Sequence, residues 1–156
     1  MADGEVVPVG RKAVALTFCV LLLAGCQFGS DSGKAEFIRQ ADTTCAQYER
    51  QISQIPQPRT FLRDFAVYMR RVVPIAREQN GELRQLEAPE DHAADFQRML
   101  TLLDEQLEIW EAAGEAAFAG DDQQAQATFR QSAGPGDEAQ RIAGEIGFFS
   151  CARPEG

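Results

Sequence analysis

Histidine occurs once in this chain, at His92, and lysine only twice, at Lys12 and Lys34. The lone histidine removes most of the chemistry that histidine serves. No Ser-His-Asp set can be assembled without it, and carboxylate di-metal bundles require Glu-x-x-His pairs on facing helices. No Cys-x-x-Cys-His segment exists for haem attachment, and an axial haem pair would have to join His92 to Met69 or Met99, both on apolar seams. Gly134-Pro135-Gly136 puts a proline where a phosphate cradle needs N–H groups. Strand-like alternation is missing, as is any internal repeat. So is any apolar run of about 20 residues, the length that a membrane-spanning helix needs. These absences leave no metal site, no cofactor and no catalytic residue, and the chain reads as non-enzymatic.

What is present begins at the N-terminus. Arg11 and Lys12 precede an apolar run from Ala13 to Leu23, the order of charge and apolarity of a secretory signal. The run ends in Leu23-Ala24-Gly25-Cys26, which resembles the lipobox of bacterial lipoproteins. That resemblance implies cleavage before Cys26 and a diacylglyceryl group on its sulfur, so residues 1–25 are expected to be a signal peptide and 26–34 a flexible tether. A buried core helix is the competing interpretation, and it leaves the leading cations, the terminal cysteine and the polar "QFGSDSGK" unexplained. Asp3 and Glu5 fit a signal poorly, because acids upstream weaken its positive end; Val6, Val7 and Val9 are alternative start sites. Gln27 is not Asp, so nothing here argues for retention at an inner membrane. The expected location is the extracytoplasmic face of the cell membrane, with the anchor at Cys26 as the membrane contact.

Cleavage would leave 131 of the 156 residues, enough for one domain with a single core, expected at 35–151 with 152–156 as a tail. The lost segment carries two acids and two bases, so the net charge stays at −9, which disfavours a nucleic-acid partner. Cys19 leaves with the signal and Cys26 is consumed by lipid. Cys45 and Cys151 remain, outside the reducing cytosol. A bridge between them would close a long loop, worth about 4–5 kcal/mol by chain entropy. Two free buried thiols are the alternative, and catalytic cysteine chemistry would depend on His92.

Apolar periodicity predicts helices throughout. Ile38, Ala41, Cys45, Tyr48, Ile52 and Ile55 form one seam, which ends at Pro56 and Pro58. Leu62, Phe65, Met69, Val72, Ala76, Leu83 and Leu86 form a second, with Gln79 on the seam and a kink expected at Pro74. A third helix follows Pro89, its seam Phe96, Leu100, Leu103, Leu107, Trp110, Gly114 and Ala117, with Gly120 as its stop. Asp121 and Gln124 suggest a capping box for a fourth element. Gly134-Pro135-Gly136 is expected to interrupt that element, and Asp137 with Gln140 to restart it with Ala139, Ile142, Ile146 and Phe149 inward. Short connections favour antiparallel neighbours, so the predicted fold is an all-α, up-and-down four-helix bundle with a broken last helix. A three-helix bundle with an irregular C-terminal segment is the alternative.

The acidic ladder from Asp104 to Glu115 reads as a solvated face, and His92 among acids as an exposed first-turn residue. Tyr48, Phe65, Phe96, Trp110 and Phe129 could line an apolar pocket between helices, although aromatics on such seams more often fill the core.

Ala41-Asp42-Thr43-Thr44-Cys45 and Gly147-Phe148-Phe149-Ser150-Cys151 carry a wider likeness. Across most of residues 35–151 the chain resembles a broad group of small secreted proteins and lipoproteins of actinobacteria, with Ala-Asp-x-x-Cys in the first helix and Gly-x-x-x-Cys near the end. The resemblance implies a helical fold and a paired disulfide, and it transfers no catalytic residue. Together these observations point to a cell-envelope lipoprotein whose helical module binds an envelope protein partner or supports an assembly. A carrier of a small apolar ligand is the alternative.

Overall fold

The computed structural model describes residues 28–59 and 63–152. Residues 1–25, expected as a signal segment, lie outside the described residues, as do Cys26, Leu62 and residues 153–156. Five helices follow one another: α1 (Phe28–Ser53), α2 (Arg63–Leu83), α3 (Ala93–Phe118), α4 (Asp122–Gln131) and α5 (Ala133–Ile146). α1, α2 and α3 alternate in direction, and α4 with α5 forms the fourth limb, an up-and-down bundle with a broken last helix. The C-terminal segment is thus helical and not irregular. α3 is the central element, packed against α2, α4 and α5, while α1 lies on α2. None of the helices is long and apolar enough to cross a membrane, among the described residues.

The last limb breaks earlier than the glycines suggest. A proline removes the N–H that would bond to the carbonyl four residues back, and its ring collides with that carbonyl. For Pro135 that residue is Gln131, where α4 stops. Ser132 serves both helices, its hydroxyl donating to the Phe129 carbonyl at 2.7 Å. Gly134-Pro135-Gly136 then forms the first turn of α5, where backbone N–H groups have no helical acceptor and a proline costs little. Gly136 is buried, and a Cβ there would stand 2.3 Å from Gln106 Nε2, so its small size lets α5 start close against α3. Asp137 and Gln140 therefore restart nothing. The Asp121 cap is formed, accepting from the Gln124 backbone at 3.0 Å. Its reciprocal half is not, because the Gln124 side chain donates to Thr128.

Two other terminations decide which side chains enter the core. Gly120 and Gly147 both have positive φ, +81° and +103°, and each closes its helix with a six-to-one bond: Asp121 N to Ala116 O and Phe148 N to Ala143 O. In this turn the residue after the glycine folds back onto the helix. Phe148 is accordingly buried and Phe149 is 71 % exposed, the reverse of the periodic expectation. Further differences are smaller. α1 begins at Phe28, so most of the expected tether is helical. Phe37, Val73, Met99, Ala113 and Ala143 join the core, whereas Leu103 and Trp110 are half-buried. α2 runs through Pro74, which lies on its exposed side, and through Asn80-Gly81.

The core has two compartments. One joins Phe37, Ala41 and Cys45 of α1 to Leu83, Phe96, Met99, Leu100, Ile142, Ile146 and Phe148. In it Phe37, Phe96 and Phe148 meet with ring centroids 5.0 to 6.0 Å apart, mostly edge to face. The other holds Phe65, Ala66, Met69, Ala113, Ala117 and Ala125, with Trp110 and Phe129 against it. There Gly114 permits close approach: a Cβ on it would come within 3.0 Å of Met69 Cβ.

Tyr48 is buried beside α2, and its phenol is pushed up to about 12, first by burial and then by the Glu82 and Glu78 carboxylates. The neutral phenol is the form that packs. Its contribution is complete below the ordinary phenol value of 10.0 and is lost as pH rises through about 12. In Tyr68→Phe protein, which leaves Tyr48 as the only tyrosine, phenolate absorbance should therefore appear near pH 12 together with loss of helix. Ionisation at the ordinary phenol value in a protein that stays folded would contradict this burial.

Candidate functional site

The two short motifs meet at one place. Cys45 and Cys151 form a disulfide with Cα atoms 5.3 Å apart. Cys45 is buried, and Cys151, in the turn that follows the α5 terminus, is half-buried. One turn before Cys45, Asp42 Oδ1 accepts from the backbone N–H groups of Phe149 at 2.8 Å and Ser150 at 2.7 Å. Ala41 is fully buried, and a Cβ at Gly147 would touch Ile38 Cδ1 at 3.5 Å. Gln79 of α2 donates its side-chain amide to Cys45 Sγ at 3.2 Å, which explains a polar residue on that seam. The Ala-Asp-x-x-Cys and Gly-x-x-x-Cys segments are thus two halves of one clasp: a small residue for close contact, a carboxylate for two backbone donors, a left-handed glycine for the turn and a sulfur from each side.

The aromatic residues offered as a pocket are divided. Phe65 and Phe129 meet edge to face at 5.0 Å beside Trp110 in one compartment. Phe96 belongs to the other, and Tyr48 sits against α2. Trp110 Nε1 is buried with no hydrogen-bond partner among the described residues. His92 is not the exposed residue expected. It stands at the N-cap of α3 with a side chain only 14 % exposed, its Nε2 3.5 Å from Asp91 Oδ2 and without a hydrogen bond. No group of His, Cys, Asp and Glu that could hold a metal ion occurs among the described residues.

The acidic ladder of α3 is organised. Asp104 and Glu111 pair with Arg84 and Arg77 of α2, and Asp104 also accepts from the buried Asn80 at 3.1 Å. One further heptad along both helices, Arg70 lies over the ring of Phe118 at 3.7 Å. Between these rungs is a surface groove of about 230 Å³, lined by Met69, Arg70, Val73, Pro74, Glu111, Gly114 and Glu115. Sequence periodicity missed it because it depends on the register between two helices. The sevenfold spacing of Arg70, Arg77 and Arg84 was the available signal.

No protein-family model, curated protein or solved structure matches the chain.

The clasp predicts a graded mutational series. Asp42→Ala should cost about 1–3 kcal/mol, since it strands two backbone donors. Asp42→Asn should cost less, because both bonds go to one oxygen that the amide can replace. Cys45→Ser and Cys151→Ser should each cost about 2–5 kcal/mol, the former more because it also buries a hydroxyl. The double variant should lose little beyond one single. Urea denaturation under non-reducing conditions measures the whole series, and equal stability of parent and cysteine variants would remove the clasp's structural role.

Proposed function

We propose that this protein is an extracytoplasmic lipoprotein, anchored through Cys26 and related to the small actinobacterial secreted proteins it resembles, whose bundle binds a protein partner in the cell envelope. The observation that carries the compartment is the Cys45–Cys151 disulfide, since structural disulfides persist where thiols are not kept reduced. The lipobox-like Leu23-Ala24-Gly25-Cys26 supports the anchor. A binding role without chemistry suits a molecule whose motif residues serve packing and whose candidate pocket aromatics are divided between separate parts of the core. That division also weakens the carrier alternative, which needs the aromatics around one cavity.

Two acyl chains hold a protein to a bilayer where one does so only marginally. Cys26→Ser should therefore leave the precursor uncleaved at the lipobox and without the diacylglyceryl mass. Intact-mass measurement and detergent phase partitioning of the cell-expressed protein test this. A Cys26→Ser protein with the same mature N-terminus and the same partitioning as the parent would overturn the anchored reading.

A further inference from the structure

The outer side of α3 carries a second seam. Asp104, Glu108, Glu111, Glu115 and Phe118 recur at spacings of four, three, four and three, the repeat by which one helix presents a continuous edge to another. Asp104 and Glu111 are neutralised by α2 arginines. Glu108 and Glu115 make no ion pair among the described residues and are exposed. The seam ends in Phe118, 66 % exposed, where the arginine ladder of α2 meets an aromatic in place of an acid. Stacking on that ring occupies the face of the Arg70 guanidinium.

Alongside lies the groove floored by Met69, Val73 and Gly114. Pro74 on its wall has no N–H to give the carbonyl of Arg70, so the helix leaves an acceptor there unserved by its usual donor. Val67, 48 % exposed, stands one turn before Arg70 on the same side of α2. Of the three large exposed apolar side chains among the described residues, two are thereby gathered at this end, next to unneutralised carboxylates and the Arg70 carbonyl. Apolar contact and acceptors without matching donors define the chemistry of what would cover them.

We propose that the α2–α3 groove and the acidic α3 seam form one docking surface, and that it takes a basic amphipathic helix of the partner protein. An apolar anchor of that helix fills the groove beside Phe118, and lysines or arginines one turn away meet Glu108, Glu115 and the Arg70 carbonyl. The net charge of −9 steers such a partner toward the molecule. This inference rests on the partner-binding reading above and names the surface and the partner's chemistry.

The test uses the full chain in neutral detergent and two synthetic helical peptides that share a leucine seam, one flanked by lysines and the other by glutamates. The lysine peptide should bind, more weakly as salt rises, and the glutamate peptide should not. Glu108→Lys with Glu115→Lys should weaken binding about ten-fold or more, as loss of a hot spot does. Glu87→Lys with Glu90→Lys changes the net charge equally at exposed sites outside the seam and should have a much smaller effect. Phe118→Ala should weaken binding without changing the melting temperature, which guards against a folding artefact. Equal loss in the two charge variants, or none in either, overturns the surface. Photoreactive residues placed at Val67, Phe118 and the exposed Gln51 of α1 separate this from the broader reading in cells. A crosslinked partner from Gln51 alone overturns the surface and leaves partner binding standing, whereas no partner from any position, with no peptide bound, overturns both.

Discussion

A single carboxylate oxygen and a sulfur–sulfur bond hold the end of the chain to its first helix across a sequence separation of 106 residues. The rest of the structure depends on this junction because it fixes how α1 seats Phe37, Ala41 and Cys45 in the core. α1 lies along α2, and from it Phe37, Ala41 and Cys45 reach into the compartment built by Phe96, Ile142, Ile146 and Phe148, beside the disulfide and Asp42. The Gly147 turn makes this geometry available. It sends Phe148 into the aromatic cluster with Phe37 and Phe96, and in the same step presents the Phe149 and Ser150 amides to Asp42. Burial, backbone satisfaction and covalent closure are consequences of one left-handed residue.

Much of this was legible in the sequence, and the parts that were not have physical reasons. Periodicity located four limbs because each buries an apolar stripe, and it found Ala41, Cys45, Phe65, Met69, Phe96, Leu100 and Ile142 correctly as core. It failed at Phe149, since a helical period cannot be extended past a Schellman turn that reverses which side chain points inward. It misplaced the break in the last limb by reading Gly134-Pro135-Gly136 as a gap, when the steric effect of Pro135 falls on Gln131 and the triplet itself is an adequate first turn. The pairing of Cys45 with Cys151 followed from elimination and resemblance. The role of Asp42 did not, because a carboxylate on a helix surface shows its partners only when the distant segment is in place.

The α2–α3 interface shows a different kind of information. Three arginines seven residues apart on α2 meet Asp104, Glu111 and Phe118, themselves seven apart and running the other way. Such rungs are exposed, and each contributes about 0–1 kcal/mol; their value lies in register. Sliding the helices by one residue would break all three together. Gly114 against Met69 adds a steric pin at the same interface, so the groove is held by both charge and shape.

The location of the disulfide also has a mechanical meaning. A pull applied between the two ends of the chain travels along α1 only as far as Cys45 and then crosses directly to Cys151. Helices α2 to α5 hang inside a covalent ring and carry none of that load. Within α1 only the stretch from Phe28 to Thr44 can lengthen, to no more than about 60 Å even when drawn out fully. Force on the N-terminal side therefore loads the part of α1 that carries Phe37 and Ala41, and stops at Cys45 before it reaches the backbone of the other helices.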